Sequence, residues 1–393
     1  MIDNRPPNIG WNWPVRFRSV ALCVFVCALF GASLSGCARS PRPAPTTTSA
    51  RLATVVPTLA PPTATTSPIA PTAPTATSLP KATSTPLHSP TPVPPTATTR
   101  PTVTATSTPF GVIGAIGVMI DNDLRARPQT GLNAADVVYE MPAEFDLTRF
   151  LAVYFANAPT QVGSIRSTRP YFAMAMTEYG GGLIHCLDVP GVPAILQQGV
   201  VFDFDLCRGS GGEGAMRTSQ RDAPFNLYVN ARLLQSELRQ RPPRRAVALL
   251  PRAPLPASAT EARQITIVYP QGHRVVWTWN GENYLRQQDG APHLESDGSV
   301  VSSNVIVIQR AVTRPTSYFG DPGYHIVDLI GSGPGLILAN GKSEPVRWSR
   351  LSESQPTTFL DSAGHVVALP PGRVFIEVLP TDGTVNLQPT PGP

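Results

Sequence analysis

The folded part of the chain reads as an α/β (α+β) first domain, with a mixed sheet and helices, followed by a smaller β-rich second domain. Three observations predict this. Up to about residue 245, apolar runs suited to buried strands alternate with helical patterns. Beyond it, short strands are separated by the turn dipeptides Asn280-Gly281, Asp289-Gly290, Asp297-Gly298 and Asn340-Gly341. Ahead of both lies a Thr/Pro/Ala/Ser-rich segment with too little apolar mass for a core. The implied boundaries are 1–36 signal peptide, 37–109 modified Cys and tether, 110–245 first domain, 246–262 interdomain loop, 263–380 second domain and 381–393 disordered tail.

The N-terminal elements are for export, not folding. Arg5, Arg16 and Arg18 precede an uncharged run from Val20 to Phe30, and Leu34-Ser35-Gly36-Cys37 follows. Basic, apolar and small-residue regions in that order make a secretory signal peptide. The apolar run, about sixteen residues, is shorter than the ~20 that a membrane-spanning helix needs. The Leu-Ser-Gly-Cys ending resembles the lipobox of bacterial lipoproteins. That resemblance implies a Cys37 bearing diacylglycerol and palmitate-type chains, and a mature protein held to the cell membrane on its extracytoplasmic side. Two or more acyl chains anchor firmly where one holds only marginally.

Residues 38–109 form the tether. No Asp or Glu occurs between Cys37 and Asp121, and dense proline blocks helix and sheet pairing. Such a segment spans about 50 Å as a coil and about 200 Å as polyproline II, enough to cross a cell-wall layer. The formal charge is +5, and cleavage before Cys37 would remove three Arg and one Asp, leaving +3. Five basic residues (Arg39, Arg42, Arg51, Lys81, Arg100) sit in the tether, so the folded part is near neutral. Without a concentrated basic face, a nucleic-acid partner is not expected.

In the first domain, Gly114 to Ile120, Ala135 to Glu140 and Leu147 to Phe155 read as strands. A helix is expected to start at Ser167 or Thr168 as N-cap, with Pro170 in its first turn and Gly180 as a stop. Leu183 to Leu187 reads as a further strand, Val192 to Gln198 as a short helix and 208–217 as a Gly-rich surface loop. Asn226 or Asn230 is expected to cap a helix running to about Gln240. In the second domain, Val275 to Trp279 and Asn283 to Arg286 read as a hairpin. Val275, Trp277 and Trp279 share one face, which is more readily core than a sugar-stacking platform. Asn304 to Gln309 and Arg373 to Leu379 read as buried strands.

The start of the Arg-rich helix is the main chemical feature. Unpaired N–H groups and a positive dipole end, flanked by guanidiniums, favour a carboxylate, phosphate or sulfate. The candidate ligand-binding residues are Arg166, Ser167 and Arg169, with Arg149 and Asn122 nearby in the pattern. The alternative is internal: these arginines pair with Glu140, Glu144 or Asp121. The same three acids are the candidates for acid–base catalysis, which would need two carboxyls about 5 to 9.5 Å apart across a cleft. His185, His273, His293, His325 and His365 show no zinc-ligand spacing, and neither a metal nor a cofactor is expected. Cys186 and Cys207 are compatible with a disulfide or with two buried thiols. His185 beside Cys186 points to the opposite strand face, against a Cys–His nucleophile.

Several short motifs agree in order and spacing with one family. They are Ile120-Asp121-Asn122, Ala126-Arg127-Pro128-Gln129-Thr130-Gly131-Leu132, Ala135-Asp136-Val137-Val138-Tyr139-Glu140, Glu144, Thr148-Arg149-Phe150, and Gly163 through Arg166-Ser167-Thr168-Arg169-Pro170 to Phe172. Tyr284-Leu285-Arg286, Gly290-Ala291-Pro292-His293, Asn304 to Val307, Gly331-Ser332-Gly333 and Trp348 continue the match. Over about 111–380 the chain resembles the YerB-like bacterial lipoproteins, a family of unknown function with paired N- and C-terminal parts. It departs from their pattern at Gly163-Ser164 and at His185-Cys186-Leu187. The resemblance implies an α/β first part, a β-rich second part and lipoprotein export, and implies no activity. The function expected is a non-enzymatic envelope module that binds an anionic cell-wall or small-molecule group, or a partner protein. Its rival is a wall-glycan or ester hydrolase using Glu140, Glu144 or Asp121.

Overall fold

A computed structural model describes residues 114–210, 212–244 and 252–390. The signal peptide, Cys37 and the tether lie outside these residues. Among the described residues, eleven strands form one mixed sheet. Its order runs Thr358–Leu360, Lys342–Arg350, Gly331–Ala339, Val305–Ala311, Val374–Pro380, Val137–Pro142, Thr148–Tyr154, Ile116–Asp121, Gly182–His185, Phe202–Asp205, with Thr260–Glu261 added beside Lys342–Arg350. The first five strands come from the second sequence part and the last five from the first. The two parts meet at the centre, where Val374–Pro380 runs parallel to Val137–Pro142 with Val137 opposite Val374 and Glu140 opposite Glu377. Both strands are buried throughout, as continuous apolar runs require.

The period-2 alternation of the central strands sorts their side chains between two cores. Val137, Tyr139, Met141, Leu151, Val153, Ile376 and Val378 face helices α1 (Pro170–Met176) and α2 (Val192–Leu196). Val138, Phe150, Ala152, Ile306, Ile308 and Phe375 face a six-stranded sheet. That second sheet runs Ala291–Pro292, Tyr284–Gln288, Arg274–Trp279, Gln264–Val268, Thr384–Gln388, with Ser302–Ser303 beside Tyr284–Gln288. Trp277 is fully buried and meets Phe375 edge-on at 4.8 Å between ring centres. Burial of such a side chain is worth about 2 to 3 kcal/mol. It belongs to the core, as its alternation with Val275 suggested.

Helix α3 (Ala231–Arg239) buries Ala231, Leu234, Gln235 and Leu238 and begins at Asn230, whose side chain accepts from the Leu233 N–H at 3.1 Å. Asn226, the other candidate cap, instead accepts from Arg217. Three expectations need correction. Residues after Thr381 are not all a free tail: Thr384–Gln388 pairs antiparallel with Gln264–Val268, because the latter strand has an open edge in the second sheet. The glycine-rich segment ends in a short strand, Ala215–Arg217, paired with Leu227–Val229. The N-cap of α1 is Arg169 rather than Ser167 or Thr168, and it makes no side-chain cap bond. Cys186 and Cys207 are joined in a disulfide, with 4.9 Å between their Cα atoms. His185 bonds to the Leu187 carbonyl and to Asp203 and faces no free thiol.

Candidate functional site

The arginine cluster lies on the helix side of the main sheet. Arg149 stands opposite Asp121 in the antiparallel pair Ile116–Asp121/Thr148–Tyr154, so both project toward α1. Glu144, in the turn between Val137–Pro142 and Thr148–Tyr154, lies between two guanidiniums, at 2.5 Å from Arg149 and 2.5 Å from Arg169. Burial alone would raise the Glu144 pKa, but these two cations outweigh it and hold it at about 2. Arg149 also donates to the Ser167 carbonyl at 2.9 Å, and Arg169 to the Thr168 carbonyl at 2.8 Å. Arg166 pairs with Asp121 at 2.8 Å. Arg149 and Arg169 are almost fully buried, whereas the Arg166 side chain keeps 27 % of its exposure. The structure thus gathers Arg149, Arg166, Ser167, Arg169, Asp121 and Glu144 as the sequence suggested, but pairs the arginines with the acids. Helix α1 has seven residues, and the segment that leads into it, Ser167 to Arg169, is tied up in these internal contacts.

Asn122 and Glu140 point to the other face. Asn122 donates to Thr148 at 2.7 Å and to Glu140 at 3.2 Å, and Thr148 donates to Glu140 at 2.5 Å. Glu140 and Glu144 are therefore separated by the sheet and do not form a carboxylate pair across a cleft. Glu140 instead meets residues of the second sequence part. It pairs with the Arg286 guanidinium, and His273 stands at 3.1 Å. Beside it, Glu377 accepts from Trp277 at 2.8 Å and from Tyr269 at 2.9 Å. Glu140, Arg286 and Glu377 have no exposed surface. Burial pushes the Glu377 pKa up, the neighbouring Glu140 charge adds to this, and it reaches about 8. Burial opposes ionisation of Glu140 as well, yet Arg286 and His273 hold its pKa well below the usual range.

This network ends at a cleft. Arg286 donates to His293 Nδ1 and, at 2.5 Å, to Gln288 Oε1. Burial and the Arg286 charge keep His293 neutral. Its Nε2 therefore donates to Gln129 Oε1 at 2.7 Å. The cleft, about 430 Å³, runs between the segment Leu124, Arg127, Pro128 and the segment Gln288 to Gly298. Arg127 is held by two bonds to the Asn122 carbonyl, at 3.2 and 2.9 Å, and its third nitrogen is 3.5 Å from Asp289. Burial and the nearby Arg286 lower the Arg127 pKa, yet not its charge at neutral pH. Glu295, behind the wall, is turned to the backbone N–H groups of Gly131 and Asn133, each at 3.0 Å. Gly131 has φ +106°, and a Cβ there would meet Tyr154 Oη at 2.9 Å, so glycine permits this packing.

Arg127, Arg286, Gln288, His293 and Glu377 were not among the sequence-derived site residues. One signal could have found one of them. Glu377 is a lone charge in the otherwise apolar run Val374–Pro380, a position that burial tolerates only with a partner. Arg286 carried no such signal, because the strand Tyr284–Gln288 has two glutamines beside it.

Residues 106–244 match the family described as "Protein of unknown function (DUF3048) N-terminal domain", and residues 265–376 match its C-terminal domain. A Bacillus subtilis (strain 168) protein named "Putative lipoprotein YerB" is 24% identical over 277 residues, covering 67% of this chain and 81% of the relative. The crystal structure of the YerB protein from Bacillus subtilis aligns with a TM-score of 0.60 at 23% identity, over 70% of this chain and 95% of that one. That structural likeness bears on the fold alone.

Proposed function

The chain belongs to the two-part DUF3048 family, whose function is unknown, and from that premise we propose that it is an exported envelope lipoprotein with a non-enzymatic binding role. Leu34-Ser35-Gly36-Cys37 and the name of the Bacillus subtilis relative support an anchor at Cys37, with the folded part on the outer side of the cell membrane. The ligand is an acidic small molecule or wall fragment. Its place is the cleft at Arg127 rather than the start of α1, where Arg149 and Arg169 are already paired with Glu144.

The observation that carries this reading is the cleft itself: a small-molecule-sized volume with a fixed guanidinium in its wall and buried polar groups behind it. The three acids of the hydrolase alternative are poorly disposed for it: Asp121 and Glu144 are ion-paired, Glu140 is sealed from solvent, and Glu144, held ionised by its two guanidiniums, makes a poor general acid. The test is equilibrium binding of acetate, sulfate and phosphate to the detergent-solubilised full chain, followed by isothermal calorimetry. Binding of at least one anion should weaken about tenfold in Arg127→Leu and persist in Arg166→Ala. Binding abolished by Arg166→Ala and untouched by Arg127→Leu would return the site to the helix start.

A further inference from the structure

Resting on that reading, we propose that the cleft selects a carboxylate borne on a small aliphatic frame, such as a peptide C-terminus or a lactyl sugar acid, with Gln288 as the specificity-determining residue beside Arg127. The first argument is charge. Arg127 is the cation of the cleft wall, with one nitrogen facing Asp289 at a loose 3.5 Å. Asp289 and the buried Glu295 stand close by, so each negative charge on a ligand is opposed, and a dianion such as phosphate is opposed about twice as strongly as a monoanion. The single guanidinium therefore favours the monoanion of the two.

The second argument is an unmet donor. Gln288 is 3% exposed and lines the cleft. Arg286 donates to its Oε1, which fixes the amide orientation and leaves Nε2 as the free end. Nε2 is buried and has no hydrogen-bond partner. Leaving a buried amide unpaired is a cost that a ligand oxygen would recover. The third argument is the lining: Leu124, Pro128, Ala291, Pro292 and Leu294 are apolar, and Leu124 and Leu294 are 75% and 41% exposed. A carboxylate next to methyl groups satisfies the guanidinium, the amide and the apolar walls together.

The experiment is calorimetric titration of the detergent-solubilised full chain with N-acetyl-alanyl-alanine, its C-terminal amide, N-acetylmuramic acid and sulfate. The peptide acid or the sugar acid should bind, and the peptide amide about tenfold more weakly. Gln288→Glu should abolish carboxylate binding while its melting temperature reports an intact fold, because Arg286 donates to the new carboxylate as it donates to the amide oxygen. Asp289→Asn removes the competing charge and should tighten binding about threefold. A binding peptide acid with a silent sugar acid assigns the source to peptide ends, and the reverse assigns it to sugar acids. Equal binding of acid and amide, or binding of sulfate alone, overturns the carboxylate class while the binding role stands. Silence of every probe, in this titration and with the small anions, overturns both.

Discussion

The two faces of the main sheet carry two charge clusters that solve the same problem differently. On the helix face, Asp121 pairs with Arg166, and Glu144 bridges Arg149 and Arg169. All five residues lie between positions 121 and 169, cations outnumber acids, and Glu144 retains 15% exposure. On the opposite face, two glutamates share one guanidinium, and none of the three is exposed. Their charges come from strands 146 and 91 positions away from Arg286. The excess negative charge is removed by a proton on Glu377, which burial and the Glu140 charge favour against the opposing pull of the Trp277 and Tyr269 donors. A rim can leave surplus charge to water. A sealed seam has to balance to neutrality within itself.

The largest effect should come from breaking that balance. Glu140→Gln leaves Arg286 buried without its ionised partner and should cost about 3 kcal/mol in denaturant unfolding. The loss is limited by Glu377, which can ionise once the Glu140 charge is gone and whose Oε1 already lies 4.0 Å from Arg286. The double variant Glu140→Gln, Glu377→Gln should therefore lose more than the sum of the single losses. Strict additivity would show that the two carboxylates do not share the cation, and the contrast between the faces would lose its basis.

A smaller effect is expected on the helix face. Glu144→Gln keeps one acceptor oxygen and leaves two guanidiniums that already hold backbone carbonyls of Ser167 and Thr168. The expected cost is about 2 kcal/mol, lower than for a sealed pair because water reaches the turn. The same unfolding curves test it: a loss equal to that of Glu140→Gln would mean that exposure makes no difference between the clusters.

How much of this was readable in the sequence follows the same division. The arginine cluster was legible because its members are close in sequence and occupy a strand end, a turn and a helix start. Its outcome, pairing rather than an open anion site, was not, since the turn conformation that brings Glu144 between Arg149 and Arg169 is tertiary. The central strands were legible as apolar runs, and Trp277 as core. The shared sheet was not, because the parallel pairing of Val137–Pro142 with Val374–Pro380 joins segments more than 230 residues apart, which no local pattern encodes. Thr384–Gln388 was hidden for a related reason: its five residues do alternate, with Val385 and Leu387 against the core, but so short a run in a Pro-rich C-terminal segment reads as tail until Gln264–Val268 offers it an edge.

The subtlest prediction concerns the proton. Glu377 has a folded pKa of about 8, above the usual glutamate value of 4.5. Between those values the folded protein holds a proton that the unfolded chain has released. Its contribution to stability is full below about 4.5 and declines as pH rises to about 8, after which it is flat. Glu140 acts oppositely: its folded pKa is depressed, so its contribution is present above the usual value and lost as pH falls below it. The groups facing Glu377 are Arg286, Glu140, Tyr269 and Trp277, with His273 bonded to Glu140 at 3.1 Å and packed against the Tyr269 ring. Glu377→Gln mimics the protonated acid in shape and hydrogen bonding, so at about pH 5 it should match the unaltered protein within about 1 kcal/mol. Toward about pH 8 the unaltered protein should weaken while the variant does not share that decline, and the variant becomes the more stable of the two. The check is denaturant unfolding of both proteins at the two pH values. An equal decline in both would place the compensating proton on another group and leave the seam with an uncancelled negative charge.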